Sequence, residues 1–397
     1  MNNREIYVVD AVRTAIGSFG GALKDVPPSV LGTEVIKSLL VRTGLKPGAI
    51  GHVVMGNVVP TGPEDAYLSR VSAINAGIPL EVPAFNVNRL CGSGLQAIVS
   101  AAQCIGMGDA DIAIGGGSES MSRGPYIVPN ARWGARMGDT AMVDYMNGIL
   151  HDPWRRTHMG ITAENVAERY DIDRSAQDAL ALESQRRAAR AMEEGRFASQ
   201  IVPVKIKGRS GEIVFDRDEH VRPDATLESL AKMKPVFKQG GTVTAGNASG
   251  INDGAAAVLL ASASAVQQYQ LKPLARLVSY AHAGVDPEFM GIGPVPASRL
   301  ALQRAGLTVA DLDVVEANEA FAAQACAVTR ELGLDPEKVN PNGSGISLGH
   351  PVGATGALIT AKAMHELHRI RGRYALVTLC IGGGQGIAAI FERVADV

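Results

Sequence analysis

Cys91 stands in the stretch Val87-Asn88-Arg89-Leu90-Cys91-Gly92-Ser93-Gly94. The apolar run before it reads as a strand end. The run after it, Leu95, Ile98, Val99, Ala102 and Ile105, has helical spacing. A thiol at such a strand-to-helix turn faces unpaired N–H groups and the positive end of the helix dipole. That setting is expected to lower its pKa and favour the thiolate, the nucleophilic form. The flanking glycines let a substrate approach the backbone. Taken alone, a cysteine near a helix start is more often a small buried residue.

A cysteine nucleophile needs a base and donors for an oxyanion. His350, between Gly349 and Pro351 after a Gly-Ser loop, is the candidate base. Cys380 ends an apolar run just before Gly382-Gly383-Gly384, whose N–H groups can form a concave anion-binding turn. A simple cysteine hydrolase needs one thiol. Two thiols in separate glycine-lined turns fit a two-step reaction: one carries an acyl group, the other moves a proton on carbon. Asn318, in Asn318-Glu319-Ala320-Phe321, could hold a water or donate to an oxyanion; the plain alternative is a helix N-cap. Cys104 and Cys326 read as core packing, and no C-x-x-C pair suggests disulfide or redox chemistry.

The elements that must position these residues alternate between strand and helix at both ends of the chain. Strands are expected at 6–9, 52–59, 112–114, 275–279, 312–317 and 375–380. Helices are expected at 29–43, after Cys91, at 297–305, near Glu319 and from Ala354. In each half a glycine-punctuated turn opens a helix, which leads to a strand running into three glycines, 115–117 or 382–384. This looks like an internal repeat of two α/β halves. Residues 121–246 break the pattern with a methionine-rich stretch, a charged helix at 175–194 and a basic strand pair at 204–209. They read as an insertion without a large core of its own.

With these motifs in hand, the sequence resembles the thiolases, the acetyl-CoA C-acyltransferases. The resemblance rests on Asn88-Arg89-Leu90-Cys91-Gly92-Ser93-Gly94, Gly115-Gly116-Gly117-Ser118-Glu119-Ser120-Met121-Ser122, Asn318-Glu319-Ala320-Phe321, Gly349-His350-Pro351 and Cys380-Ile381-Gly382-Gly383-Gly384. It extends over essentially the whole chain and is strongest to bacterial short-chain β-ketothiolases of the polyhydroxyalkanoate-type biosynthetic branch. It implies an α/β thiolase-like fold: two similar βαβαβ halves in a five-layer α-β-α-β-α sandwich with an inserted loop domain. The implied division is 1–120 plus 247–271 for the N-terminal half, 121–246 for the loop domain and 272–397 for the C-terminal half.

The resemblance also implies roles. Cys91 would take the acyl group, His350 would activate it, and Cys380 would be the acid/base on carbon. His350 with a water held by Asn318 would stabilise the enolate. The N–H groups of Cys91 and Gly382 would hold the tetrahedral intermediate. Coenzyme A would bind through His158, Arg222, Ser229, Met233, Val236, Phe237, Ala245 and Ser249, with Met290 and Phe321 near the pantetheine. Read without the resemblance, Arg222 is an ordinary surface charge, and Phe237 and Met233 are as plausible in a core. Met159 and Met290 would bear on chain length. The implied reaction is a ping-pong Claisen condensation of acetyl-CoA with a short acyl-CoA, and the reverse thiolysis. Acyl-CoA is then the substrate and no cofactor is permanently bound. A homotetramer, joined through 122–142, is implied as well. A degradative 3-ketoacyl-CoA thiolase is the nearest alternative. A non-catalytic acyl or lipid carrier is the alternative of another class. A decarboxylating ketoacyl synthase would need a histidine where Asn318 stands.

Composition sets outer limits. The 397 residues suffice for two or three domains, and 46% hydrophobic with 20% charged is a globular-enzyme balance. A net charge of −2 offers nothing to nucleic acid or to an anionic membrane. The N-terminus does not read as a signal peptide, no apolar run is expected to reach a bilayer-spanning length, and Ala395-Asp396-Val397 is not a peroxisomal tripeptide. A cytoplasmic location is the expectation. Neither a G-x-G-x-x-G after the first strand nor a Walker motif is present. His365-Glu366-Leu367-His368 reads as an exposed helix end, not as a metal site.

Overall fold

The structure, a computed structural model, describes residues 4–208 and 211–395. The expectations for the first three residues, for Arg209 and for the last two residues lie outside that range. In the first half, strand Ile6–Thr14 pairs antiparallel with Asn252–Ser262, and the latter pairs antiparallel with Ile112–Ser120. His52–Gly56 and the outermost Ala84–Val87 continue the sheet in parallel. In the second half Ala275–Gly284 pairs antiparallel with Gln385–Arg393, which pairs antiparallel with Tyr374–Ile381. Val314–Ala317 closes that set in parallel. The two sets meet edge to edge where Tyr7 and Val8 pair with Arg276 and Ala275.

Helices Pro28–Thr43 and Leu68–Asn75 cover the outer face of the first sheet. Helices Pro294–Ala305 and Ala322–Leu332 cover that of the second. Between the sheets lie Ser93–Met107 and Thr355–Arg369, packed against each other. The result is five layers. The two middle helices are buried on both flanks, which is why they carry alanine, leucine and isoleucine around most of their circumference. Removing a side chain such as fully buried Ile98 costs about 2–5 kcal/mol.

Four expectations are corrected. The window Leu90–Met107 is apolar enough, at mean hydropathy 1.3 over 18 residues, to pass as a membrane span. The fold instead uses it as the central helix. Residues 115–117 do not end a strand; they run inside Ile112–Ser120, because a Cβ at Gly115 would fall 2.5 Å from Ile98 Cα of that helix. His365 and His368 are half-buried rather than exposed: their Nε2 atoms lie 2.9 and 2.7 Å from the carbonyls of Ala11 and Leu274. Cys104 and Cys326 are half-buried rather than core residues.

The insertion is tied into the first half. Ile201–Val202 adds a parallel pairing to Arg13–Thr14, and Val202, Val204 and Phe215 join that half's core. Arg13 forks onto Asp218 at 2.8 and 2.9 Å, and both side chains are fully buried. A bidentate guanidinium–carboxylate pair of this kind is stable only intact; losing one partner costs about 3–5 kcal/mol.

Candidate active site

The turn that carries Cys91 is under tension. Leu90, just before it, has φ +46°, a left-handed conformation that a leucine rarely adopts. Ser93 holds the turn in place. Its Oγ accepts from Arg89 N–H at 2.9 Å and donates to Leu90 O at 2.6 Å. Gly92 lets the second half come close, since a Cβ there would sit 2.6 Å from Ile381 Cδ1. Ile381 follows Cys380, so this contact brings the two thiols to one place.

Cys380 is the penultimate residue of strand Tyr374–Ile381 and is 1% exposed. Gly383 and Gly384, at φ +79° and +80°, turn the chain back into Gln385–Arg393. His350 follows the short helix Gly345–Leu348 and is also buried. Its N–H donates to Asn252 Oδ1 at 2.9 Å, and its Nδ1 lies 2.6 Å from Thr355 Oγ1. Asn318 does not cap a helix. The following helix starts at Ala322 with Phe321 at its cap, so the expected start near Glu319 shifts by three residues. The Asn318 amide instead faces His350 Nε2 at 3.4 Å, and its Oδ1 is buried without a partner.

Cys91, His350, Cys380 and Gly382 line one cavity of about 310 Å³. Its other walls include His158, Met159, Phe237, Ser249, Met290 and Phe321. His158 caps helix Met159–Arg169 through Nδ1, which accepts from Gly160 N–H at 3.0 Å. Its ring stacks on Phe237 at 4.5 Å, and Phe237 meets Phe321 edge-on at 6.2 Å. The remaining positions from the sequence, Arg222, Ser229, Met233, Val236 and Ala245, are exposed and do not line this cavity. They lie on the stretch that leads to Ser249. Ser229 is engaged locally in a capping box with Thr226. Sequence reasoning missed Val58, Leu90, Met121, Ile149, Leu150, Ile251 and Val352, which give the cavity an apolar wall beside Cys91. Their apolar character was legible, but not the face they share.

The electrostatics reverse one expectation. Burial pushes the Cys91 thiol up to about 11, although the N–H groups of Gly382 and of Cys91 itself pull the other way. Desolvation of the thiolate outweighs the helix dipole that the sequence suggested would lower this pKa. Burial takes His350 down to about 4. The resting pair is therefore neutral thiol and neutral imidazole. Burial, with the nearby Cys91, pushes the Cys380 thiol far above its ordinary range.

Comparison with known proteins follows the same lines. The family description "Thiolase, N-terminal domain" matches residues 6–264, and "Thiolase, C-terminal domain" matches residues 271–393. The chain is 67% identical to the β-ketothiolase BktB of Cupriavidus necator over 392 residues, 98% of this chain and 100% of the relative. It is 53% identical to an acetyl-CoA acetyltransferase of Chromobacterium violaceum over 391 residues, again 98% of this chain and 100% of the relative. The crystal structure of human mitochondrial 3-ketoacyl-CoA thiolase matches with TM-score 0.97 and 46% identity, covering 99% of this chain and 100% of that one. The structure of that enzyme in complex with CoA matches with TM-score 0.96 and 46% identity, covering 99% and 98%.

Proposed function

The chain belongs to the thiolase family and catalyses the β-ketothiolase reaction, and on that premise we propose how its pocket divides the chemistry. The observation that carries the reading is the convergence of two thiols from different halves, with His350, on one cavity. Cys91 gives its proton to His350 Nε2 and attacks the thioester carbonyl of acetyl-CoA. The N–H groups of Cys91 and Gly382 receive the oxyanion. Coenzyme A leaves as a thiolate, takes the proton of Cys380, and departs as the free thiol. Acyl-Cys91, protonated His350 and the Cys380 thiolate remain.

In the second step the Cys380 thiolate removes a proton from the methyl of another acetyl-CoA. Carbon next to a thioester is a weak acid, so a thiolate made strongly basic by burial suits this task. The enolate oxygen is held by His350 Nε2–H and by a water that donates to the unpartnered Oδ1 of Asn318 and to the enolate. The carbanion attacks acyl-Cys91, whose sulfur leaves and takes its proton back from His350. Protons and charges return to their starting places, and the kinetics are ping-pong.

Coenzyme A enters past Ser249 and the His158–Phe237–Phe321 aromatic wall. The exposed Met233, Val236 and Ala245 and the Arg222 guanidinium meet its outer part. The strongly exposed Trp133 and Met137, with Tyr126 and Met142, form an apolar arm that we assign to contact between copies in a tetramer. The activity test is thiolysis of acetoacetyl-CoA and 3-ketovaleryl-CoA by free CoA. Cleavage of both is the expected result for a short-chain enzyme. Cleavage of acetoacetyl-CoA alone narrows the range, and cleavage of neither, with Cys91 reduced, overturns the reading.

A further inference from the structure

We propose that Glu119 and Asn252, both from the first half, are positioning residues that hold His350 of the second half against Cys91. The inference rests on the roles assigned above to Cys91 and His350. Glu119 lies in strand Ile112–Ser120 and is fully buried. Its partners are all N–H groups. Asn57 Nδ2 and Val59 N donate to Oε1 at 2.9 and 3.0 Å, while Val58 N and Gly353 N donate to Oε2 at 3.0 and 2.8 Å. Burial pushes this carboxyl up to about 8 against the pull of the backbone N–H groups, yet four donors aimed at its two oxygens, two on each, are all met only by the ionised, acceptor-only carboxylate. Three of these donors belong to Glu119's own half. The fourth, Gly353, belongs to the loop that carries His350.

Asn252 grips the other side of that loop. Its Oδ1 takes the His350 N–H at 2.9 Å while its Nδ2 donates to Gly17 O at 3.0 Å. Residues 349–353 are thus held at both ends by acceptors of the opposite half. The fit has no slack: a Cβ at Gly353 would fall 2.4 Å from Glu119 Oε2, and one at Gly349 2.5 Å from Asn252 Cγ. Thr355 completes the hold at the imidazole itself. Neither Glu119 nor Asn252 lines the cavity, so substrate is not their partner. Removing either acceptor strands a buried N–H, and the loop can relieve that only by moving. Such a shift displaces Nε2 from Cys91 while leaving the mouth of the pocket as it was.

The test uses the full-length enzyme with Glu119→Gln, which places an amide N–H₂ where a donor already points. Gly353→Ala presses the same contact from the other side, and Asn252→Ala removes the second grip. Thiolysis of acetoacetyl-CoA gives kcat and KM, and iodoacetamide alkylation of Cys91 is followed against pH. The expected result for each variant is a kcat at least about 10-fold lower, KM for CoA within about 2-fold, and an alkylation profile displaced upward in pH. Glu119→Asp recovers part of kcat. Unchanged kcat overturns the inference, as does a kcat loss with an unaltered alkylation profile. If no variant folds, as judged by thermal melting, the contacts serve the fold alone and the inference also falls. His350→Ala separates this from the underlying mechanism. If that change leaves the alkylation profile untouched, His350 is not the base. If it moves the profile and Glu119→Gln does not, only the positioning role is lost.

Discussion

At the floor of the pocket His350 and Cys380 are 5% and 1% exposed, with Asn318, 1% exposed, behind the imidazole of His350, and each sits at or just past the end of a packed element. On the stretch proposed as its mouth for coenzyme A, Met233 and Val236 are 40% and 59% exposed, just past the five-residue helix Leu227–Ala231. The floor is held from several directions at once, through Ser93, Asn252, Thr355 and the Gly92–Ile381 contact. The mouth is held more sparsely, by a local capping box and by the Arg174 guanidinium, which donates to the carbonyls of Leu230 and Met233 at 2.6 and 2.9 Å. Groups that must meet reacting atoms need fixed geometry. Groups that only grip a long flexible substrate tolerate a looser frame, and their contribution shows as uniform binding.

Substitutions can break this contrast or sharpen it. The largest effect belongs to Cys91→Ser, expected to lower steady-state thiolysis by about four to six orders of magnitude with CoA binding intact. Cys380→Ser separates the two thiols. It should lower condensation by about 10²–10⁴-fold, while labelled acetyl-CoA still acetylates Cys91, detectable by mass spectrometry, but more slowly because the leaving CoA loses its proton donor. Asn318→Ala removes the proposed anchor of the water that supports the enolate and should cost about 10²-fold in kcat, with the acetylation half-reaction nearly unchanged. Alkylation of Cys91 by iodoacetamide should keep accelerating through the alkaline range, because a thiol raised to about 11 has little thiolate near neutrality. A plateau near pH 7 would contradict the neutral resting pair. At the mouth, Met233→Ala or Val236→Ala should raise KM for CoA by roughly 2- to 10-fold and leave kcat alone. A loss of kcat there would erase the distinction between floor and mouth.

Much of the floor was legible in the sequence because its motifs combine residue type with backbone demand. A cysteine between a strand and a helix, and a histidine between glycine and proline, say what the backbone must do as well as what the side chain could do. The direction of the Cys91 pKa was not legible. It depends on how much water the opposite half excludes, and no local pattern encodes that. The strand through residues 115–117 was misread for a related reason. Three glycines in a row suggest a turn, yet here Gly115 makes room for the backbone of helix Ser93–Met107 and Gly117 for that of Gly353 and Ala354. Glu119 and Asn252 were passed over because their partners lie 234 and 98 residues away in the chain. A carboxylate in an otherwise small-residue strand was the available signal. The apolar mouth positions could be placed only by resemblance, since exposed Met233 and Val236 follow no period.

The order of strands in the first sheet has a consequence for biosynthesis. Asn252–Ser262 lies between Ile6–Thr14 and Ile112–Ser120, yet the whole insertion is translated before it. An emerging chain therefore holds two strands with open edges, one on each side of an empty slot, until residue 262 has been made. Such edges invite pairing with other chains. Productive folding of the first half is a late event, gated by synthesis. Truncations that end inside the insertion should yield aggregates rather than a folded half, whatever catalytic residues they already contain.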